Sequence, residues 1–220
     1  MIAISDDEIL EALYPYYPEA THPLCEPIRV YMDLLLRWNS RISLTAITKP
    51  KDILRFHFGE SLYAVRRVPI RRGRLADVGS GAGFPAIPIG MVKHRVTTVL
   101  LESNTKKAAF LNEVLRELGL KEMEVYNGRM QAYSSGQNKF DLVTMRAVKV
   151  DKDFSWWAKH NTHHGALIIL WVGVNAGDII EKTTDWTWRK PLVIPGAERR
   201  VILVGKKSAH LLNVSRGTIQ

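Results

Sequence analysis

The chain has 220 residues, 46% of them apolar and 24% charged, which fits one globular domain of ordinary size with an appended element. Its longest apolar run, residues 166–174, is too short to cross a bilayer, and the acidic N-terminus lacks the charge pattern of a signal peptide. Cys25 is the only cysteine, which excludes an intrachain disulfide and a thiol-rich metal site. We expect a cytoplasmic monomer with no membrane partner and no metal. The formal net charge of +9 favours a polyanionic partner, most simply nucleic acid.

Residues 1–67 have helical patterns. Ser5 and Glu8 have the spacing of a capping box at the start of a first helix. Apolar residues between Leu24 and Trp38 recur in steps of four and three, which places them on one face of a second helix. A third helix is predicted to start near Pro50. We therefore predict a helical extension over residues 1–67.

From residue 68 to residue 207, short apolar or β-branched segments alternate with helical ones. Strands are predicted near residues 74–78, 96–102, 122–126, 140–144 and 166–172, and a helix over 104–118. Residues 191–207 have the pattern of two strands joined by a Pro-Gly turn. The alternation predicts an α/β, Rossmann-like domain with a mostly parallel, doubly wound sheet that ends in an antiparallel hairpin. Residues 208–220 carry little pattern and are predicted to form a tail.

Residues 75–85 have the pattern of a buried strand, a glycine turn and the start of a helix. The strand ends in Asp77, and three glycines follow at alternate positions: Gly79, Gly81 and Gly83. A dinucleotide fingerprint would need a further glycine where Phe84 stands. The turn therefore favours a nucleoside without a pyrophosphate, such as S-adenosylmethionine. The alternative is a glycine-rich turn that binds nothing.

The next predicted strand ends in Glu102, at roughly the spacing at which a nucleotide-binding fold places its ribose acceptor. A carboxylate accepts from two hydroxyls at once and is ionised at neutral pH. The alternative is that Glu102 only caps the following helix, although Asn104 is the better candidate for that cap. We favour the ribose role.

Several longer stretches resemble the bacterial family of ribosomal RNA small subunit methyltransferase G, also known as glucose-inhibited division protein B. The resemblance runs from about Trp38 to Gly173. The matching stretches are Asn39-Ser-Arg-Ile-Ser-Leu-Thr-Ala46, Arg55-Phe-His-Phe-Gly-Glu-Ser-Leu62, Asp77-Val-Gly-Ser-Gly-Ala-Gly-Phe-Pro-Ala-Ile-Pro88, Leu101-Glu-Ser-Asn-Thr-Lys-Lys107 and Phe140-Asp-Leu-Val-Thr-Met-Arg-Ala147. The glycine loop followed by Phe-Pro-Ala-Ile-Pro is much more specific than the glycines alone.

The resemblance implies an S-adenosylmethionine-dependent methyltransferase fold and methyl transfer to N7 of one guanine in 16S ribosomal RNA. The partner would be that RNA or the small ribosomal subunit. By the family pattern, Gly79, Phe84, Met130-Gln131 and Arg146 contact the cofactor or lie beside the methyl group. Together with the strand-end residues, the predicted cofactor-binding set is Asp77, Gly79, Gly81, Gly83, Phe84, Glu102, Met130, Gln131 and Arg146.

The implied reaction needs no general base, because guanine N7 has a free lone pair at neutral pH and the methyl donor is already activated. Catalysis can rest on alignment and desolvation of the two bound partners. Arg146 and His57 are the predicted catalytic residues. Arg146 would hold guanine O6 or a phosphate, or alternatively pair with Asp77 or Glu102. His57 is chosen on the resemblance alone, and the alternative is a packed helix residue.

Two groups of basic residues are candidates for RNA binding. The group that we favour for phosphate contacts is predicted near the site: Lys49, Lys51, Arg55, Lys149 and Lys152. The other group precedes the first strand, at the opposite end of the sheet: Arg66, Arg67, Arg71, Arg72 and Arg74. Three histidines are assigned to a solvated loop and not to a metal site: His160, His163 and His164.

The chain departs from the family pattern at several positions, among them Ser43, Glu60, Gln131, Met145 and Trp171. We predict that Ser43, Glu60 and Trp171 lie on substrate-side surfaces. Two other functions stay open: methylation of a small molecule or a protein on the same fold, and RNA binding without catalysis. An affinity for RNA that falls with salt would separate an RNA methyltransferase from the first alternative. Titration with the cofactor would separate an enzyme from the second.

Overall fold

The computed structural model describes residues 3–70, 72–146, 150–174, 179, 183 and 185–208. An eight-stranded sheet lies between helices that pack on both of its faces. Within the described part of the chain, every helix is too short or too polar to span a bilayer.

The N-terminal region is helical, as predicted. Its elements are α1 (Asp6–Leu13), α2 (His22–Asn39), α3 (Pro50–Asp52), a π-helix (Ile53–Gly59) and α4 (Glu60–Arg67). The capping box is present at the start of α1, where the Glu8 N–H donates to Ser5 Oγ at 3.2 Å. The third predicted helix is therefore present but is divided by the π-helix, a feature that is frequent at functional sites.

The sheet is parallel on one side and antiparallel on the other. Its strands are β1 (Gly73–Val78), β2 (Val96–Glu102), β3 (Met123–Asn127), β4 (Phe140–Arg146), β5 (Thr162–Gly173), β6 (Trp186–Trp188), β7 (Leu192–Val193) and β8 (Arg200–Lys207). They follow the order β3-β2-β1-β4-β5-β8-β6, and β7 also pairs with β8. β1 to β5 pair in parallel, whereas β8 is antiparallel to its three neighbours. The predicted doubly wound α/β fold is confirmed.

The two faces of the sheet bury separate sets of side chains. One face packs on the N-terminal helices, α5 (Ala86–Val92) and α6 (Thr105–Glu117). The other packs on α7 (Lys152–Asn161), where Trp157 is fully buried and its neighbour Trp156 is 60% exposed. The described residues before residue 68 share one hydrophobic core with the sheet. The division of the chain at residues 67 and 207 stays a prediction.

Two local assignments differ from the sequence prediction. His160 lies in the last turn of α7, and His163 and His164 lie on β5, so the predicted loop is wrong. β5 begins earlier than predicted, at Thr162, and its pairing with β4 is irregular between Thr162 and Leu167. The turn at Pro195-Gly196 is present, but the strand before it has only two residues. Of the predicted tail, only residue 208 lies within the described part.

Candidate active site

The glycine loop joins β1 to α5 at the carboxyl end of the sheet. Gly79 (φ +68°) and Gly81 (φ +56°) have left-handed backbone conformations, which glycine adopts without steric cost. The Gly79 N–H donates to the Leu101 carbonyl at 2.9 Å, which fastens the loop to β2. The strand order reverses between β1 and β4, and folds of this type bind their ligands at such a reversal.

Glu102, the last residue of β2, holds the glycine loop in place. Its Oε2 accepts from the Gly81 N–H at 2.8 Å, and its Oε1 accepts from the Asn104 N–H at 2.8 Å. The cap of α6 is Asn104, as predicted, since its Oδ1 accepts from the N–H groups of Lys106 and Lys107. Each carboxylate oxygen can accept more than one hydrogen bond, so Glu102 keeps acceptor capacity for a ligand.

Asp77 lies fully buried on β1 beside the loop. Its Oδ1 accepts from the Thr144 hydroxyl of β4 at 2.6 Å, whereas its Oδ2 has no partner among the described residues. The pKa of the Asp77 carboxyl is raised to about 6, mainly by burial; hydrogen bonds from Thr144 and Ser80 oppose the rise, and the charge of Glu102 adds to it. Asp77 therefore places, beside the glycine loop, one buried carboxyl oxygen that can accept a further hydrogen bond.

A cavity of about 200 Å³ opens beside the loop. It is lined by Val78, Gly79, Leu101, Ser103, Gly128, Arg129, Met130, Gln131, Asp151 and Phe154. Three of the predicted cofactor residues, Gly79, Met130 and Gln131, thus share one cavity. Asp151 and Phe154 are not among the predicted cofactor residues, although Asp151 precedes α7 as its N-cap and its Oδ1 accepts from the Phe154 N–H at 2.9 Å.

Phe84, which follows the glycine loop, lies between two other rings. It stacks on Tyr31 with centroids 5.0 Å apart at 7°, and on His57 with centroids 4.6 Å apart at 16°. The Tyr31 hydroxyl in turn donates to the Ala82 carbonyl of the loop at 2.5 Å. Phe84 is buried and is absent from the lining of the cavity. The stack therefore joins α2 and the π-helix to the glycine loop.

His57 is buried in the π-helix, and its contacts are those of a packed residue. Its Nε2 hydrogen-bonds with the Thr45 hydroxyl at 2.8 Å, and its Nδ1 has no partner among the described residues. Burial, together with the positive charges of Arg146 and Arg200, lowers the pKa of His57 to about 3. His57 is therefore a neutral imidazole near pH 7, which favours the packing alternative over a catalytic role.

The stretch at residues 39–46, which resembles the family pattern, positions Thr45. Asn39 Oδ1 accepts from the N–H groups of Leu44 and Thr45, each at 2.9 Å, and its Nδ2 donates to the Thr45 carbonyl at 3.0 Å. This one amide fixes the turn that follows α2. The family-like residues of this stretch thus reach the site indirectly, through His57 and Phe84.

Arg146, the last residue of β4, pairs with Glu60 of α4. Its Nη2 lies 3.2 Å from Glu60 Oε2. The alternative partners considered from the sequence, Asp77 and Glu102, are wrong for the free protein. The prediction that Glu60 and Trp171 lie on substrate-side surfaces is also wrong, because both are buried and the Trp171 indole donates to the Glu60 carbonyl at 3.2 Å. The spacing of strands and helices in the sequence gives no signal for this long-range pairing.

Four of the five residues predicted to contact RNA are exposed: Lys49, Lys51, Arg55 and Lys152. Lys149 lies outside the described residues. Lys51 and Arg55 line an open depression of about 400 Å³ that also contains Tyr16 and two acidic residues of α1. Lys152 begins α7, next to the cavity beside the glycine loop. In the group at the opposite end of the sheet, Arg74 stacks over Phe140 and donates to the Tyr133 hydroxyl at 2.8 Å.

Comparison with known proteins shows the family. The model of the GidB family, rRNA small subunit methyltransferase G, matches residues 24–199. The chain belongs to this family. It is 37% identical over 155 residues to ribosomal RNA small subunit methyltransferase G of Chromobacterium violaceum, covering 70% of this chain and 72% of the relative. The relative of the same name from Ectopseudomonas mendocina is 33% identical over 175 residues, covering 80% of this chain and 81% of the relative. A Clostridium botulinum relative is 39% identical over 127 residues, and the match spans about half of that relative, 53%.

Solved structures agree on the fold. A SAM-dependent methyltransferase from Aquifex aeolicus superimposes with a TM-score of 0.60 at 14% identity, covering 71% of this chain and 93% of that one. MtNAS in complex with MTA and tNA gives a TM-score of 0.61 at 15% identity, covering 94% of this chain and 83% of that one. The family member described here therefore has the Rossmann-like methyltransferase fold that its sequence predicts.

Proposed function

We propose that this protein transfers a methyl group from S-adenosylmethionine to N7 of a guanine in 16S ribosomal RNA. The observation that carries the proposal is the glycine loop held by Glu102 at the strand-order reversal, in a chain of the rRNA small subunit methyltransferase G family. The relatives named above are each called ribosomal RNA small subunit methyltransferase G, which supports ribosomal RNA of the small subunit as the substrate.

The residues at the strand ends fit the cofactor. Asp77 has a buried carboxyl oxygen without a partner among the described residues, which suits a group whose partner arrives with a ligand. Glu102 would accept from the ribose hydroxyls, and Met130 and Gln131 would lie along the base in the adjoining cavity. When bound, S-adenosylmethionine supplies an electrophilic methyl group on a sulfonium. Gly81 and Gly83 would shape the loop rather than contact the base.

The protein's own part in the reaction is alignment and exclusion of water. Guanine N7 presents a lone pair, so no residue has to remove a proton, and a neutral His57 with a pKa of about 3 agrees with that requirement. Arg146 lies at the end of β4 and carries guanidinium donors that match guanine O6 or a phosphate. We therefore assign Arg146 the task of orienting the acceptor and His57 a supporting role behind Phe84.

The substrate would be naked 16S RNA or the small ribosomal subunit. The protein would bind it as a monomer, in the cytoplasm. Support for an RNA partner comes from the net charge of +9 and from the exposed basic residues near the cavity and on the N-terminal helices. The N-terminal helices pack against the sheet and would cover one side of the RNA path.

The experiment is methyl transfer from labelled S-adenosylmethionine to 16S RNA and to small subunits from a strain that lacks the protein. The methyl position is mapped by strand cleavage at 7-methylguanosine. The chemical step in single turnover should be nearly flat between about pH 6 and 9, because N7 needs no deprotonation. A methyl group found at another atom, or a rate that rises steeply with pH through one ionisation, would reject N7 as the acceptor. Methylation of neither substrate would reject rRNA as the target.

A further inference from the structure

A buried ion triad links three separate elements at one end of the sheet. Glu60 begins α4, Arg146 ends β4 and Arg200 begins β8. The Glu60 carboxylate is 0% exposed. Its Oε1 accepts from Arg200 Nη2 at 2.6 Å and from Arg200 Nε at 3.2 Å, while its Oε2 lies 3.2 Å from Arg146 Nη2. One carboxylate therefore contacts two guanidinium groups.

The triad is itself held from two sides. The Trp171 indole N–H donates to the Glu60 carbonyl at 3.2 Å, which fixes the start of α4 against β5. The guanidinium of Arg200 lies over the ring of Phe56, 5.3 Å from its centroid, which fixes the plane of that group. Arg200 is 40% exposed, whereas Arg146 is only 14% exposed. Solvent thus reaches the triad from the Arg200 side.

The charges of the triad do not cancel, since two guanidinium groups face one carboxylate. Arg146 Nη1 is buried and has no hydrogen-bond partner among the described residues. A buried donor without a partner carries a desolvation cost, which an incoming acceptor atom relieves. Burial lowers the pKa of Arg146, but Glu60 opposes this and keeps the group cationic. Arg146 Nη1 is therefore a hydrogen-bond donor without a partner among the described residues. It lies at the end of β4, the strand end that faces the ligand in this fold.

We propose that Glu60 and Arg200 are positioning residues that orient Arg146, leaving Nη1 free to donate to the acceptor guanine or its phosphate. This inference rests on the proposed function. Glu60 Oε2 forms an ion pair with Nη2 of Arg146 at 3.2 Å and accepts no hydrogen bond from the described residues, and Arg200 holds the Glu60 carboxylate in the orientation of that ion pair. Neither residue needs to contact the RNA or the cofactor for this task.

The test compares Arg200→Ala with Arg199→Ala. Arg199 is the exposed neighbour, so its loss removes the same charge without touching Glu60. Glu60→Gln keeps the shape of the side chain and removes its charge. If Glu60→Gln fails to fold in a thermal-unfolding check, Arg200→Ala still tests the idea, because Arg200 is partly exposed.

At saturating RNA and cofactor, Arg200→Ala should lower kcat by about 10- to 100-fold, since a misplaced positioning group costs up to about 100-fold. Arg199→Ala should stay within about twofold of the wild type. Cofactor affinity, measured by calorimetry, should be unchanged in both variants. In the background of Arg146→Ala, Arg200→Ala should cause no further loss in kcat, because it acts through Arg146.

If the double variant lost kcat by the product of the losses in Arg146→Ala and Arg200→Ala, Arg200 would act independently of Arg146, and the inference would be overturned. Equal rates for Arg199→Ala and Arg200→Ala would also overturn it. If wild-type protein methylates N7 and these outcomes occur, only the positioning role fails. If wild-type protein does not methylate N7, the proposed function fails first, and the two results are thereby distinguished.

Discussion

The imidazole of His57 and the ring of Phe84 lie face to face, with centroids 4.6 Å apart. Because Phe84 directly follows Gly83, the stack fixes the glycine loop relative to the N-terminal helices. It also removes His57 from solvent. A residue that the sequence offers as a catalytic candidate thus packs against the residue that follows the glycine loop.

Replacing His57 with Gln should make the protein less sensitive to acid. The pKa of His57 is lowered from 6.5 to about 3 in the folded state, so the unfolded chain binds a proton that the folded one does not. Its stabilising contribution is complete above pH 6.5 and is lost as pH falls towards 3. Between about pH 7.5 and 4.5, wild type should lose about 2–3 kcal/mol more unfolding free energy than the variant. Urea titrations check this, with exposed His163→Gln as the control; equal losses in wild type and His57→Gln would contradict it.

Asp77→Asn should show the opposite dependence on pH. The pKa of Asp77 is raised to about 6, so the folded state binds its proton more tightly than the unfolded chain does. That contribution is present below about pH 4 and is lost as pH rises through 6. Relative to the variant, wild type should lose about 2 kcal/mol of unfolding free energy between about pH 4 and 7.5. The variant should also bind S-adenosylmethionine more weakly. A pH-independent difference in stability would show that Asp77 ionises normally.

Glu102→Ala should weaken S-adenosylmethionine binding by about 1.5–3 kcal/mol, the cost of losing charge-assisted hydrogen bonds. It also removes the acceptor of the Gly81 N–H, so part of the loss comes from a looser loop. Glu102→Gln keeps one acceptor oxygen and serves as the matched comparison, with a smaller loss. Calorimetry measures the S-adenosylmethionine affinity of both variants. An unchanged affinity in Glu102→Ala would show that Glu102 does not bind the ribose.

Gly83→Ala should destabilise the free protein more than Gly119→Ala does. Both glycines have left-handed backbone conformations, at φ +85° and +63°. A Cβ at Gly83 would collide with the Tyr31 hydroxyl and lie 2.5 Å from Ile87 Cδ1, whereas none of the atoms around Gly119 lies within 4 Å of a Cβ there. Backbone strain costs about 1–2 kcal/mol at either site, and overpacking adds about 1–3 kcal/mol at Gly83 only. Thermal and denaturant unfolding of the two variants measure the difference, and equal costs would mean that Tyr31 moves aside freely.

Charge reversal at Lys152 should weaken RNA binding more than reversal at Arg72. Lys152 begins α7 beside the cavity, whereas Arg72 precedes β1 at the opposite end of the sheet. A lost phosphate contact should flatten the slope of log affinity against log salt by about 0.7–0.9. Filter binding across a salt series gives both slopes. A larger change for Arg72→Glu would place the RNA path at the amino end of the sheet.

The sequence by itself determined the fold and placed together the strand-end residues that we propose to hold the cofactor. The strand ending in Asp77, the alternate glycines and the strand ending in Glu102 are local patterns, and parallel strands bring their carboxyl ends to one edge. Periodicity also determined the N-terminal helices, and Asn104 is the cap that its position predicts. These features could be predicted because each depends on residues close together in the chain.

Only the tertiary structure decided the acceptor half. Arg146 pairs with Glu60 and not with Asp77, and Glu60 is buried because α4, β5 and β8 close around it. His57 has a lowered pKa for the same reason, since burial and two distant arginines act on it together. Such contacts join residues far apart in the chain, and their energies depend on desolvation, which no local spacing in a sequence encodes.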